Sequence, residues 1–323
     1  MKQNQIIAVI IPCYNEGLTI GKVVNDFQEF LPESVIYVYD NASTDNTSQV
    51  AEAAGAIVKK EPKKGKGNVV RTMYREVEAD IFILIDGDDT YPVSSIRDLL
   101  RPILAGEADM VVGDRLSNNS YFSKNDRRFH NFGNRLVRGL INRLFNGNLK
   151  DIMSGYRVMN RYFIKNFPVM SSGFEIETEM TLHAMDKRFR IREIGVEYRD
   201  RPEGSQSKLN TISDGAKVIK TVFSIFKNYK PMLFFSSVGL VLLVLGLLSG
   251  VGPIMDYIEE QYVYKVPMAI LATGLVICSM LCFGIGIILE TVSHFHRMNY
   301  ELQLNHYHEF GNSKNNIKQL EKY

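Results

Sequence analysis

Apolar positions in the first two hundred residues come as short runs separated by stretches of helical periodicity. Strand-length runs lie at residues 6–11, 35–39, 57–58, 81–85 and 110–112, and between them 19–30, 47–54 and 68–76 repeat their apolar residues at helical spacing. This alternation predicts an α/β domain over residues 1–208, a mainly parallel sheet with crossover helices. Ligands of such sheets sit beyond the carboxyl ends of the strands, so the polar residues that follow each run carry the functional information.

Towards the C-terminus the pattern changes. Residues 232–250 and 266–289 contain no charged side chain and are each long enough to cross a bilayer. An acidic loop with Asp256, Glu259, Glu260 and Lys265 is expected between them, whereas Lys217, Lys220, Lys227 and Lys230 precede the first span and His294, His296 and Arg297 follow the second. The positive-inside rule then places both flanks in the cytoplasm and the loop outside. A pair of buried core helices is the competing account of the same two runs. Ile219, Val222, Phe223 and Phe226 recur at helical spacing beside a lysine face, which predicts an interfacial amphipathic helix over 209–230 or an ordinary surface helix. The expected order is therefore a catalytic domain (1–208), a juxtamembrane helix (209–230), a transmembrane hairpin (231–290) and a cytoplasmic tail (291–323).

Composition narrows the classes. A chain of 323 residues holds a large domain plus something smaller, and its net charge of +2 gives no electrostatic footprint for nucleic acid. Cys13, Cys278 and Cys282 have neither CxxC nor zinc spacing and read as reduced, structural residues. The polar start and the short run at 6–11 do not make a signal peptide, so the N-terminal domain is expected in the cytoplasm at the plasma membrane.

The strand ends are chemically rich. The first run ends in Pro12-Cys13-Tyr14-Asn15-Glu16, the second in Asp40 through Thr47, the fourth in Asp86-Gly87-Asp88-Asp89. Singly, each is equally well a turn or a helix cap, Asp45 or Thr47 being natural caps. Together they converge on one edge.

The motifs IPCYNE, DNASTDNT, KKGKGNVVR, DGDDTYP, VVGDR, DIMSGYR and RPEGSQSKL stand in this order ahead of two apolar spans. In this the chain resembles family 2 glycosyltransferases with the GT-A fold, of the polyprenyl-phosphate glycosyltransferase and dolichyl-phosphate mannose synthase type. The resemblance implies a GT-A catalytic domain, Rossmann-like, and a nucleotide-sugar donor surrounded by Pro12, Tyr14, Glu16 and Asp40. Lys66, within Lys63-Lys64-Gly65-Lys66-Gly67, would pass close to that donor, its glycine neighbours permitting close backbone approach; alone, the segment reads as a solvated basic loop. Carboxylates two residues apart at a strand end aim at one hard cation, Mg²⁺ or Mn²⁺, so Asp86 and Asp88 are the expected metal ligands, Asp88 the preferred direct one, with Asp89 holding the loop.

The same resemblance implies a polyprenyl (undecaprenyl) phosphate acceptor. A lipid phosphate is already anionic and needs cations more than a general base. Arg115, Arg127 or Arg128, Asn131, and Arg201 with Lys208 match the family's phosphate contacts, though each arginine alone also reads as a surface charge. Asp151 matches an acidic position near the reaction centre, suited to orienting the acceptor or stabilising cationic sugar character; Ser154 and Gly155 form its turn. Glu175 and Glu177 are read either as donor-sugar contacts or as one face of a helix start.

The implied reaction is inverting transfer of a hexose or N-acetylhexosamine, with UDP-glucose or UDP-N-acetylglucosamine leading the donors. A processive polysaccharide synthase is disfavoured because a chain without tryptophan cannot carry QxxRW. A non-catalytic scaffold that recruits a flippase is disfavoured by the intact Asp86/Asp88 pair. Self-association through the spans is expected where Gly284 and Gly286 allow close approach.

Overall fold

The computed structural model describes residues 5–117, 128–202 and 223–320. They form two compact units, Met1–Ala216 and Lys217–Tyr323.

In the first unit the apolar runs become strands β1 (Ile7–Cys13), β2 (Val35–Asp40), β3 (Ile57–Lys60), β4 (Ile81–Leu84) and β5 (Met110–Asp114). Helices α1 (Ile20–Phe30), α2 (Thr47–Ala53), α3 (Lys66–Glu76) and α4 (Ile96–Leu104) cross between them. Helix α1 shows why: Ile20, Val23, Val24 and Phe27 fall on one buried stripe, and Ile96, Leu99, Leu100 and Ile103 do the same for α4. These stripes pack on Val9, Ile11, Val38, Ile83 and Val111 of the sheet in a single core.

The remaining elements are α5 (Arg128–Phe145), β6 (Arg157–Asn160), α6 (Arg161–Asn166), α7 (Ile176–Asp186) and β7 (Ile191–Gly195). The seven strands lie in the order β3-β2-β1-β4-β6-β5-β7. Strand β6 is antiparallel to both neighbours, with Leu84 opposite Arg157 and Val112 opposite the same residue, while β7 runs parallel to β5. Because β6 runs backwards, the turn that precedes it arrives at the edge where the other strands end. That reversal brings residues 151–156 to the carboxyl ends of β1, β2, β4, β5 and β7.

In the second unit residues 223–229 are helical, and Phe223 and Phe226 pack edge-on against Phe234. Lys217, Ile219, Lys220 and Val222 of the expected amphipathic helix lie outside the described residues. Helices α8 (Pro231–Glu260) and α9 (Val266–Leu320) are both long and apolar enough to cross a membrane. The expected acidic loop is shorter than its charges implied: α8 continues through Asp256, Glu259 and Glu260, and left-handed Gln261, at φ 55°, ends it. The expected tail likewise continues as helix to Leu320, with no proline after Pro267 to end it.

The two helices meet at small residues. Ser279 Oγ donates to the Gly239 carbonyl at 2.8 Å, and a Cβ on Gly246 would lie 3.2 Å from the Ala272 carbonyl oxygen. Gly286 packs against Met232 and Phe235 within this pair, whereas Gly284 faces open space.

Candidate active site

The loops after β1 and β2 are stapled to each other by side chains. Asn15 N–H donates to Ser43 Oγ (2.9 Å), Glu16 N–H to Thr47 Oγ1 (2.9 Å) and Gly17 N–H to Asp45 (3.0 Å), while Asn15 Oδ1 accepts from Thr44 N–H (2.8 Å). Asp45 also accepts from the Thr47 N–H at 3.0 Å, so its part in starting α2 and its tie to the first loop coexist. Asn15, Ala42 and Asp89 all have positive φ, a costly backbone state for alanine above all, and all three follow strand ends.

Asp40 ends β2 in register with Cys13. Its carboxylate accepts from Ser43 N–H (2.8 Å) and Ser48 Oγ (2.5 Å). Burial opposes its ionisation, but these bonds and Lys60 hold it below the usual carboxylate range. Two further acceptor sites on a carboxylate remain after such bonds. Tyr14 lies under the Lys64 ammonium, 5.3 Å from its ring centroid, and Glu16 is buried at the head of α1. Pro12, Tyr14, Glu16 and Asp40 are thus brought to the adjoining carboxyl ends of β1 and β2 and the loop after β1.

Asn41 was not singled out by its motif, yet it organises the basic segment. Its amide donates to the carbonyls of Glu61 (2.9 Å) and Lys63 (2.7 Å) and accepts from Gly65 N–H (2.7 Å). The glycines beside Lys66 serve a close approach, but to the chain itself. Gly65 has φ 125°, and a Cβ there would sit 2.1 Å from the Ser172 carbonyl oxygen; one on Gly67 would sit 2.3 Å from that of Ser171.

This packing delivers Lys66 into the acidic edge. Its ammonium, nearly buried, lies 2.5 Å from Asp86 Oδ1 and 2.5 Å from Glu177 Oε1. Glu177 is therefore both a first-turn residue of α7 and an ion-pair partner. Burial alone would depress the Lys66 ammonium, but the two carboxylates raise its pKa.

Asp88 accepts from Thr90 Oγ1 at 2.7 Å and N–H at 3.2 Å, and its second oxygen meets Arg201 Nη2 at 2.6 Å. The two acids of the pair are pushed apart. Burial would raise Asp86, yet Lys66 first, then Arg115 and Arg201, keep it below its ordinary value. Burial and the adjacent Asp86 charge raise Asp88 despite Arg201. Asp89 turns away to Lys22, 2.7 Å distant.

Among the described residues no three His, Cys, Asp or Glu side chains converge as a self-sufficient metal site. Two carboxylates nevertheless fit a hard divalent cation that takes its other ligands from diphosphate oxygens and water. Asp86 in particular gives Oδ1 to Lys66 and leaves Oδ2 without a hydrogen-bond partner among the described residues.

Asp151 is almost fully buried and forms a bidentate pair with Arg115, Nε to Oδ2 at 2.7 Å and Nη2 to Oδ1 at 2.8 Å, with the Arg115 N–H adding a third bond at 3.1 Å. Burial works against the charged form, but Arg115 holds the carboxyl low. Arg115 also stacks near the Tyr198 ring, 5.6 Å from its centroid. Tyr91 closes the arrangement: its hydroxyl accepts from Gly155 N–H at 3.0 Å, and its ring packs on Tyr156 and Tyr198. Asp86, Asp88, Lys66, Arg115, Asp151 and Arg201 thus form one charged surface. Arg127 and Lys208 lie outside the described residues, as do the side chains of Arg128 and Asn131.

Residues 8–167 match the model of glycosyl transferase family 2. The chain is 56% identical over 112 residues to protein RfbJ of Shigella flexneri, covering 35% of this chain and 87% of that one. Glycosyltransferase AglJ of Haloferax volcanii is 29% identical over 281 residues, 86% of this chain and 91% of its own. A dolichyl-phosphate hexose transferase of the same organism is 25% identical over 219 residues, 68% and 93% of the two chains. Among solved structures, Mycobacterium tuberculosis glucosyl-3-phosphoglycerate synthase superposes with a TM-score of 0.55 at 22% identity, covering 69% of this chain and 80% of that one. The same enzyme has been solved with Mn²⁺, UDP-glucose and glycerol 3-phosphate, where the TM-score is 0.53.

These matches show a glycosyltransferase, and the likeness to the solved structures gives it a GT-A-like fold. The chain belongs to glycosyl transferase family 2.

Proposed function

We propose that the protein moves a hexose or N-acetylhexosamine from UDP-glucose or UDP-N-acetylglucosamine to polyprenyl (undecaprenyl) phosphate, with inversion, at the cytoplasmic face of the membrane. The observation that carries this reading is the gathering at one sheet edge of three carboxylates, Asp86, Asp88 and Asp151, paired in turn with three cations, Lys66, Arg201 and Arg115. Such an edge can accommodate a diphosphate and a monophosphate together. The name of the dolichyl-phosphate hexose transferase relative supports a lipid phosphate acceptor, and the two apolar helices support a membrane setting.

In this reading Pro12, Tyr14, Glu16 and Asp40 surround the nucleoside, and Asp86 and Asp88 hold Mg²⁺ or Mn²⁺. A cation there supplies positive charge against the leaving diphosphate. Lys66 adds a second positive charge beside Asp86. Arg115 and Arg201, with Arg127, Arg128, Asn131 and Lys208, orient the acceptor phosphate. Its oxygen attacks the anomeric carbon as the bond to the diphosphate breaks, and the nucleoside diphosphate leaves with the electron pair. No proton has to be removed from the nucleophile. Asp151 stabilises the cationic sugar carbon from the acceptor side.

The test uses the full chain in nanodiscs with Mg²⁺ or Mn²⁺ and a panel of sugar nucleotides. Nucleoside diphosphate should be released only when polyprenyl phosphate is supplied, and an α-linked donor should yield a β-linked lipid phosphate sugar. Retention of configuration would sink the single displacement, and release independent of lipid would sink the acceptor. Asp88→Ala should abolish turnover in folded protein; near-normal activity would remove Asp88 from the metal site.

A further inference from the structure

Asp151 is held by more than its bond to Arg115. On one flank Glu193, from β7, accepts the Lys150 N–H with both oxygens, at 2.8 and 2.9 Å, and the Asp151 N–H at 2.8 Å. On the other flank Arg157, from β6, donates Nη2 to the Ile152 carbonyl at 2.7 Å and Nε to the Ser154 carbonyl at 2.9 Å. Its remaining nitrogen lies 3.5 Å from Met110 Sδ. Between them, an acceptor and a donor grip the backbone on both sides of one acidic residue.

Neither grip is cheap. Arg157 is fully buried and none of its hydrogen-bond partners is a carboxylate, so carbonyl dipoles and the nearby charges of Glu177 and Asp151 compensate its guanidinium without a direct ion pair. An aliphatic side chain would fill the same core position without that desolvation. Glu193 is half-buried in the vicinity of Asp114 and Asp151, two charges of its own sign. Its carboxylate binds the turn from an unfavourable place for an acid. Both residues lie on strands, so these two grips anchor the turn to the sheet, in addition to the bonds it makes with Tyr91, Arg115 and Thr181.

We propose that Glu193, with Arg157 opposite it, is a positioning residue that fixes the Asp151 carboxylate for the reaction; this rests on the reading of Asp151 as a group that acts on the sugar or acceptor. The two strand residues hold the backbone, and the bidentate bond to Arg115 holds the Asp151 side chain. Catalysis is sensitive to such placement, a displacement of about 1 Å being able to cost about 10²-fold in rate.

The experiment is a double-mutant cycle on the full chain in nanodiscs, with Glu193→Ala, Glu193→Gln, Asp151→Asn and the two combinations. Turnover number and KM are measured for each substrate, and folded protein is quantified by thermal unfolding. Glu193→Ala is expected to lower kcat by about 30-fold with donor KM within about twofold, and Glu193→Gln, whose amide oxygen still accepts, to recover part of the loss. In the Asp151→Asn background the same Glu193 changes should cost less than about threefold, because the residue they position is already gone. An equal loss in both backgrounds would show a merely structural tie and overturn the inference, as would Glu193→Ala with unaltered kcat. Near-full activity of Asp151→Asn would instead overturn the role given to Asp151 and the positioning role with it. Should Glu193→Ala not fold, the Gln arm of the cycle decides on the same criterion.

Discussion

Gly155 backs directly onto the carboxylate of Asp86: a Cβ on this glycine would lie 2.3 Å from Asp86 Oδ2. The contact follows from sheet register. Leu84 faces Arg157 across the antiparallel pair, and continuing that register by two residues sets Gly155 opposite Asp86.

Gly155→Ala should therefore displace the carboxylate of Asp86, the proposed metal ligand, without replacing that residue. Asp86 is held by Lys66 and cannot swing aside at no cost. The expected outcome is a loss of about 10²-fold in kcat with weakened Mn²⁺ binding, read by turnover and by Mn²⁺ titration of the folded variant. Unchanged Mn²⁺ affinity would show that Asp86 has room to retreat.

Lys66→Met removes the cation shared by two acids that are otherwise 2.5 Å from it. Breaking a buried pair by deleting one partner costs about 3–5 kcal/mol, and denaturant unfolding should show a loss of that order. Glu177→Gln, which leaves the Lys66–Asp86 pair intact, should cost less. Equal stability losses would mean that the Lys66–Asp86 pair left in Glu177→Gln contributes nothing by itself.

His183 gives the protein an acid-side weakness. It is buried among the rings of Phe163, Phe167 and Phe189, and burial first, then Lys187, lowers its pKa from 6.5 to about 4. Above pH 6.5 the imidazole is neutral folded or unfolded. Between 6.5 and 4 the unfolded chain takes the proton first, so stability falls with falling pH, by about 3 kcal/mol across the window. Thermal unfolding of wild type and His183→Phe as a function of pH should diverge below 6.5, the variant losing this part of the slope.

The helix pair of the second unit makes a separate prediction. Gly246→Leu should overpack the contact with Ala272, Leu275 and Val276 and cost about 1–3 kcal/mol, whereas Gly284→Leu, which enters open space, should be tolerated. Thermal unfolding in detergent distinguishes them. A destabilising Gly284→Leu would reveal a further contact on that face.

What the chain announced and what it concealed divide along physical lines. Strands β1, β2 and β4 were legible because their apolar runs end abruptly in Asn15, Asp40 and Asp86. Strand β6 was not, since only four residues pair and the first is the charged Arg157, which the structure buries completely. Tripeptide-scale spacing located Asp86 and Asp88. It could not reveal that Arg115 meets Asp151 thirty-six positions away, or that Glu177 shares Lys66 with Asp86. Glu193 belongs to no motif and enters only through strand β7.

The reversed strand also ties folding fidelity to activity. A slip of β6 by one residue would exchange inward and outward side chains, and it would set Ser154 or Tyr156, in place of Gly155, against Asp86. Side chains would then occupy the space that the carboxylate needs. A chain that pairs this strand wrongly is thus silenced at the reacting edge even where its hydrophobic core still closes, so turnover reports on registration more sharply than any measure of compactness.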